Sequence, residues 1–270
     1  MVLLTPSSDI WKQLRSGESF DRQDFSYLNL AEKDFANQNW SGIRMLGSNL
    51  GHTHLQAVNL QGADLRGSNF SAANLQSANL QNACLSRADL RDTDLREANL
   101  AGANLKGARY SAHTQWPEGF AYKTSGAIGP HAQLNGAFLN TANLRGLDLS
   151  GANFLGAYLS GTDFTGANLH NARLSGADLR RAFLTGAYLR GARLNGADLQ
   201  DCDCRGADLG EVELENLQSI AGADFSQVQN LSEQARSQLL SRSSRELDVW
   251  NAYTRTTTRN SLHLPSQSSP

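Results

Sequence analysis

The residues whose types and spacing could do chemistry are Cys202-Asp203-Cys204, His52-Thr53-His54 and Gly102-Ala103-Asn104-Leu105-Lys106-Gly107. Two thiols on alternate residues suggest a soft-metal or redox site, two imidazoles a zinc site, and a glycine-bounded lysine a phosphate loop. Each falls short on its own terms. Neither pair has a third ligand at metal spacing, and the Lys-Ser/Thr that closes a phosphate loop is missing. The third cysteine, Cys84, has nothing near it in sequence to lower its pKa. No serine sits in a nucleophile elbow. His113, Glu118 and His131 are the only reactive types in the one irregular segment, so an enzyme site there is kept as an alternative reading.

What positions these residues is a period of five. A large apolar residue recurs at every fifth place from Phe20 to Tyr110, and again from Leu134 to Leu214. Two places before each stands a small residue, as in Ala63, Ala73, Ala78, Ala152 and Ala157. An α-helix advances 100° per residue, so a five-residue period has no fixed face; a flat strand would alternate it between faces. The period fits a chain that turns a corner every five residues, with the small and the large residue inward and three outward. Four such sides make a 20-residue coil that stacks on the next at about 4.8 Å. In that register Cys202 takes a small inward place and Cys204 a large one, so both are core filling. Glycines such as Gly136, Gly146 and Gly156 mark corners that want positive φ. The first half has fewer of them, and less uniform turns are expected there.

Units such as Ala63-Asp64-Leu65-Arg66-Gly67 and Ala177-Asp178-Leu179-Arg180-Arg181 resemble the pentapeptide-repeat family, whose unit reads Ala-Asp/Asn-Leu-x-x. The resemblance implies an all-β solenoid, a right-handed quadrilateral β-helix. The handedness comes from the resemblance alone. The Trp-Pro-x-Gly-Phe interruption and the Thr254–Leu262 segment resemble cyanobacterial members. Short α-helical caps are expected at both ends, because open ladder ends aggregate. The division expected is 1–19 N-terminal cap helix, 20–110 first repeat segment, 111–131 inserted loop, 132–228 second repeat segment, 229–255 helical cap and 256–270 flexible tail. Ile10, Trp11 and Leu14 give the first helix its apolar side. Ser232 starts the C-terminal helix, whose role is either to cap or to pair two copies as a homodimer.

The outward residue just before each large one is normally Asp or Asn, but in the second half four such places carry Phe138, Tyr158, Phe183 and Tyr188. Arg173, Arg180, Arg181, Arg190 and Arg193 lie in the same coils. Aromatic residues and arginine are the types enriched at binding hot spots. With Trp116 and Phe120 of the loop, they are the expected protein-binding residues.

Charge narrows the function classes. With 24 Lys+Arg against 26 Asp+Glu, the formal net charge is -2. A surface that binds nucleic acid throughout, or an acidic DNA mimic of the gyrase-binding type, needs a large one-sign excess. Gyrase binding is retained as an alternative, with no inhibition of supercoiling expected. No apolar run approaches the roughly 20 residues that span a bilayer. The reading is a cytoplasmic, non-catalytic adaptor or regulator with an unidentified protein partner, no cofactor, no metal, no nucleic acid and no membrane.

Overall fold

The computed structural model describes residues 3–16, 20 and 23–263, in two compact units, Met1–Gly129 and Pro130–Pro270. Each is a four-sided β-helix. Parallel pairs join residues 20 apart, as in Asn39–Asn59–Asn79–Asn99 of the first unit and Phe138–Tyr158–Asp178–Asp198 of the second. Two bonds per side hold successive coils: Leu50 N donates to Asn69 O at 2.7 Å, and Asn69 N to Ser48 O at 2.9 Å.

The inward ladder is dry and filled. Leu50, Leu55, Leu149, Phe154 and Leu159 have no solvent exposure, nor do Ala152 and Ala157. Where a hydroxyl replaces the inward alanine it donates to a nearby carbonyl, in its own coil for Thr53, which bonds Leu50 O at 2.6 Å, and in the coil below for three other threonines. Thr93, Thr114 and Thr162 donate Oγ1 to the carbonyls of Phe70, Leu90 and Leu139 at 2.7, 2.8 and 2.7 Å. A buried hydroxyl with such an acceptor costs little; without one it would cost about 1–3 kcal/mol.

The Asp/Asn preference has a local cause. The side chain accepts the N–H two residues on, as from Gln76 N to Asn74 Oδ1 at 3.0 Å and from Ser150 N to Asp148 Oδ1 at 3.1 Å. This Asx bond closes each corner. On two sides of the first unit the same amides also bond each other, Asn59 Nδ2 to Asn39 Oδ1 at 2.9 Å and Asn79 Nδ2 to Asn59 Oδ1 at 3.1 Å on one, Asn49 Nδ2 to Asn29 Oδ1 at 3.0 Å and Asn69 Nδ2 to Asn49 Oδ1 at 2.9 Å on the other. The expectation of less uniform corners in the first half is corrected. His52, Ala57 and Ser77 hold φ of 56°, 53° and 58°, the conformation of the glycine corners. Only the residue type varies, because the coil bonds on both sides of the corner impose the geometry.

Residues 111–131 are not a loop that leaves the solenoid. Thr114 points inward, Gln115 pairs with Asp94, and Ile128 pairs with Arg109. Between them Tyr122–Thr124 forms a 3-10 turn, and the rings of Trp116, Phe120 and Tyr122 stack together against Tyr110. The segment is an aromatic-filled last coil of the first unit. Gly129 stands where a large inward residue would, and a Cβ there would lie 2.6 Å from Tyr110 O and 2.8 Å from its ring. Gly129→Ala is therefore expected to lower stability by about 1–3 kcal/mol in urea denaturation.

The second ladder also runs further than its leucines. A one-residue insertion near Asn216–Gln218 shifts the pairing to 21, as in Asp203–Asp224 and Asp208–Gln229, and Ile220 and Phe225 fill the last coil.

Both ends are covered. Helix α1, Ser8–Leu14, is capped by Ser7 and buries Leu14. Trp40 Nε1 donates to Leu14 O at 2.9 Å, and Trp11 stacks on Phe35 at 6.1 Å. At the other end stand α2 (Glu233–Leu240), α3 (Ser244–Leu247), the hairpin β1 (Trp250–Asn251) and β2 (Thr256–Thr257), and α4 (Thr258–Leu262). So 256–263 is folded, against the expected tail; 264–270 lies outside the described residues. Side chains from these elements meet the open backbone of the final coil. Thr258 Oγ1 donates to Ile220 O at 2.9 Å, Asn251 Nδ2 to Gly222 O at 2.6 Å, and Phe225 N to Ser261 Oγ at 3.0 Å. The C-terminal segment covers the final coil through these bonds.

Candidate protein-interaction surface

The coil register assigns every expected binding residue to a side. In the second unit one side carries Phe138, Tyr158, Asp178 and Asp198, and the next carries Asn143, Asp163, Phe183 and Asp203. The third carries Asp148, Asn168, Tyr188 and Asp208, and the fourth Asn153, Arg173, Arg193 and Glu213. The nine residues of the second half thus fall on four sides and their corners rather than in one patch. Spacing by 20 places Phe138 and Tyr158 on one side and Phe183 and Tyr188 on the next two, as observed, but the arginines of the same coils are spread around the coil and do not join them in one patch.

Only one aromatic pair forms a continuous exposed surface. The rings of Phe138 and Tyr158 stack at 4.5 Å between centroids and 2° between planes. They are 78% and 45% exposed, and Leu155, on the adjoining corner, is 45% exposed. Neither ring can supply the Asx oxygen. After Tyr158 that duty passes to the coil below, where Asn140 Oδ1 accepts from Ser160 N at 3.0 Å. Tyr188 stands alone on its side. Phe183 is half-buried against Tyr253 of the hairpin tip, with centroids 5.6 Å apart.

The arginines mostly serve the solenoid. Arg180 grips Asp178 through Nε and Nη2 at 2.8 and 2.7 Å and faces Asp198 at 3.8 Å. Arg181 meets Asp201 at 3.9 Å, Arg190 meets Glu211 at 3.0 Å, and Arg193 meets Glu213 at 3.2 Å. A coil of arginines lies under a coil of carboxylates. Arg173 is exposed and makes no ion pair among the described residues. Trp116 and Phe120 of the first unit are half-buried in the Tyr110 cluster, so both rings are used in the fold.

The residues that resembled chemistry are likewise absorbed. Cys202 and Cys204 are buried, with Cys202 Sγ donating to Ala182 O at 3.2 Å and Cys204 Sγ to Cys202 Sγ at 3.6 Å. The hydrogen bond to Cys204, together with burial, pushes the Cys202 thiol well above its ordinary pKa, the reverse of a reactive thiolate. His52 is an exposed corner, and His54 lies on a side between Asp34 and Asn74. Among the described residues no group of three or more His, Cys, Asp and Glu could hold a metal ion. Nor, among those residues, is any helix long and apolar enough to cross a membrane.

The Asp–Arg corners set a pH dependence. Hydrogen bonds from Arg66, Arg96 and Arg180, followed by their charge, hold Asp64, Asp94 and Asp178 below the ordinary carboxylate range. A depressed folded-state value means that the unfolded chain takes up protons first. The stabilisation is complete above the unfolded value of about 4 and is lost as pH falls through the folded values. Denaturation midpoints are expected to stay flat from neutral pH to about 5 and to drop below about 4. A steady decline beginning above pH 6 would contradict this assignment.

A family model described as Pentapeptide repeats matches residues 29–71, 53–92, 73–109, 130–156, 142–181 and 177–216, in eight copies. No curated protein matches the chain. Among solved structures it is similar to HetL, a pentapeptide repeat protein involved in heterocyst differentiation regulation from the cyanobacterium Nostoc. That pair is 23% identical, over 82% of this chain and 96% of HetL, with a TM-score of 0.35. A second Nostoc pentapeptide repeat protein, alr5209, is 32% identical over 47% of this chain and 98% of its own, with a TM-score of 0.32. QnrB1, a plasmid-mediated fluoroquinolone resistance protein, is 18% identical over 81% and 98%, with a TM-score of 0.26. The matched repeats cover more than half of the sequence and lie in both four-sided units; the chain belongs to the pentapeptide-repeat family.

Proposed function

We propose that this non-catalytic chain is a protein-binding adaptor or regulator, and that the Phe138–Tyr158 side is its docking face. The observation that carries the reading is the exposed ring stack at two places where Asp or Asn would otherwise close a corner. Stacked aromatic rings offer rigid apolar area at small entropic cost, the character of an interface hot spot. Leu155 widens the apolar surface, and Arg180 on the following corner is fixed by Asp178, so the edge of the face is ordered.

The test compares Phe138→Ala/Tyr158→Ala with Tyr188→Ala, each used to capture partners from the native organism. The double variant is expected to lose at least tenfold of the captured partner with less than about 1 kcal/mol change in stability, because both side chains are exposed. Tyr188→Ala, on another side, is expected to retain it. Equal capture by the wild type and the double variant would remove this face from consideration.

A further inference from the structure

The hairpin between β1 and β2 does more than close the end of the solenoid. Asn251 anchors it through Nδ2 to Gly222 O, and Asn251 Oδ1 accepts the N–H groups of Tyr253 and Thr254 at 2.9 and 3.1 Å. The turn so fixed hangs Tyr253 down the outside of the solenoid, past the last coil, until its ring meets Phe183 at 73°. Tyr253 remains 68% exposed. Under it lies a cleft of about 360 Å³, whose floor is Phe183 with Thr165 and Thr185, and whose two ends are Arg145–Asp163 and Arg205–Asp203.

Phe183 and Tyr253 both line this cleft at 73° to one another, so a cation entering it can lie against the negative face of an aromatic ring. The ionic groups around it do not favour an anion. Arg145 Nη1 is bonded to Asp163 at 3.0 Å, and Arg205 is bonded to Asp203 through Nε and Nη2 at 2.8 and 2.7 Å. Arg205 also faces the buried carboxylate of Asp224 at 4.0 Å. Each guanidinium that lines the cleft is thus paired with a carboxylate that also lines it, with Asp224 buried behind Arg205. Asp163 Oδ1 is used by the N–H and hydroxyl of Thr165, but Oδ2 has Arg145 Nη1 as its one partner and keeps a lone pair.

The geometry points to a binding site for a cationic side chain, arginine or lysine, of a partner protein, with its charge held between the Phe183 and Tyr253 rings and Asp163 Oδ2. The aliphatic stem would lie along the Thr165–Thr185 floor. This site is on a different side from Phe138 and Tyr158, so it stands or falls independently of the docking face proposed above.

The test uses the full chain with 13C-labelled tyrosine and phenylalanine rings and three probes: N-acetyl-arginine amide, its neutral isostere N-acetyl-citrulline amide, and N-acetyl-glutamate amide. The Tyr253 ring resonances are expected to shift saturably with the arginine probe, with a dissociation constant on the order of 1 mM. The neutral and anionic probes should bind at least tenfold more weakly. Asp163→Asn, which keeps the shape and removes the charge, is expected to weaken the arginine probe roughly three- to thirtyfold. Tyr253→Ala should abolish the response as read on labelled Phe183. Equal binding of the neutral or acidic probe, an unchanged affinity in Asp163→Asn, or no saturable shift with the arginine probe up to about 50 mM would each overturn the proposal.

Discussion

Trp40→Ala is expected to cost the first unit about 3–5 kcal/mol, the largest single-side-chain effect the structure supports. Trp40 is fully buried, its ring is 4.8 Å from that of Phe35, and its indole N–H holds the last turn of α1 through Leu14 O. Truncation removes core volume at the first coils of the first unit, directly beneath the short helix α1. The void would not be refilled by collapse, because the coil above is fixed by its backbone bonds to the next. Trp40→Phe separates the two contributions. It keeps most of the packing and loses only the bond to Leu14 O, for which about 1 kcal/mol is expected. Urea denaturation followed by far-ultraviolet circular dichroism measures both. A loss below about 1 kcal/mol for the alanine variant would mean that α1 does not close this end.

Arg242→Ala is expected to do comparable damage at the final coil of the second unit. Its guanidinium donates to Leu217 O at 3.1 Å and Gln218 O at 3.3 Å and grips Glu246 through Nε and Nη2 at 2.6 and 2.8 Å. Glu246 in turn accepts Ile220 N at 2.7 Å. One side chain therefore organises both the acceptors and, through Glu246, a donor of the terminal coil. Its removal leaves a half-buried carboxylate and two carbonyls without their cation, for about 2–4 kcal/mol. A second effect distinguishes this end from any core site. An uncovered final coil presents parallel donors and acceptors that another copy can extend, so concentration-dependent association is expected in sedimentation velocity. Loss of stability without association would show that the remaining cap elements still cover the edge.

Much of this architecture could be read from the sequence, and the limits follow from what a repeat encodes. The alternation of Ala63 with Leu65, or Ala152 with Phe154, is dictated by an interior with room for one small and one large residue per side. Position in that pattern was enough to bury Cys202 and Cys204. Residues 111–131 are hard to read because Trp116 stands six residues after Tyr110 rather than five, and because Gly129 takes a large inward place. Gly129 is legible only once the Tyr110 ring is seen in its space. A count by twenty puts Phe138 and Tyr158 on one side and Phe183 and Tyr188 on the next two, as the pairing has them. The same count applied to charge finds Arg181, Arg190 and Arg193 standing 20, 21 and 20 residues before Asp201, Glu211 and Glu213. Nothing in the spacing announces that Tyr253 meets Phe183. That contact depends on where a capped hairpin lands, and no period governs it.

The fixed coil length also makes the second unit a rotary index. Twenty residues return the chain to the same side, so each repeat advances it by a quarter turn. Deleting one whole coil above Phe183, residues 186–205, would bring the hairpin down one level while keeping its azimuth. Deleting a single repeat, 191–195, would swing the same hairpin to a neighbouring side and leave Tyr253 over a different column. Length and direction are thus set by two separate integers in the gene, the number of coils and the remainder in repeats. A lineage can lengthen such a protein freely in twenties, whereas a change of five re-aims everything that follows.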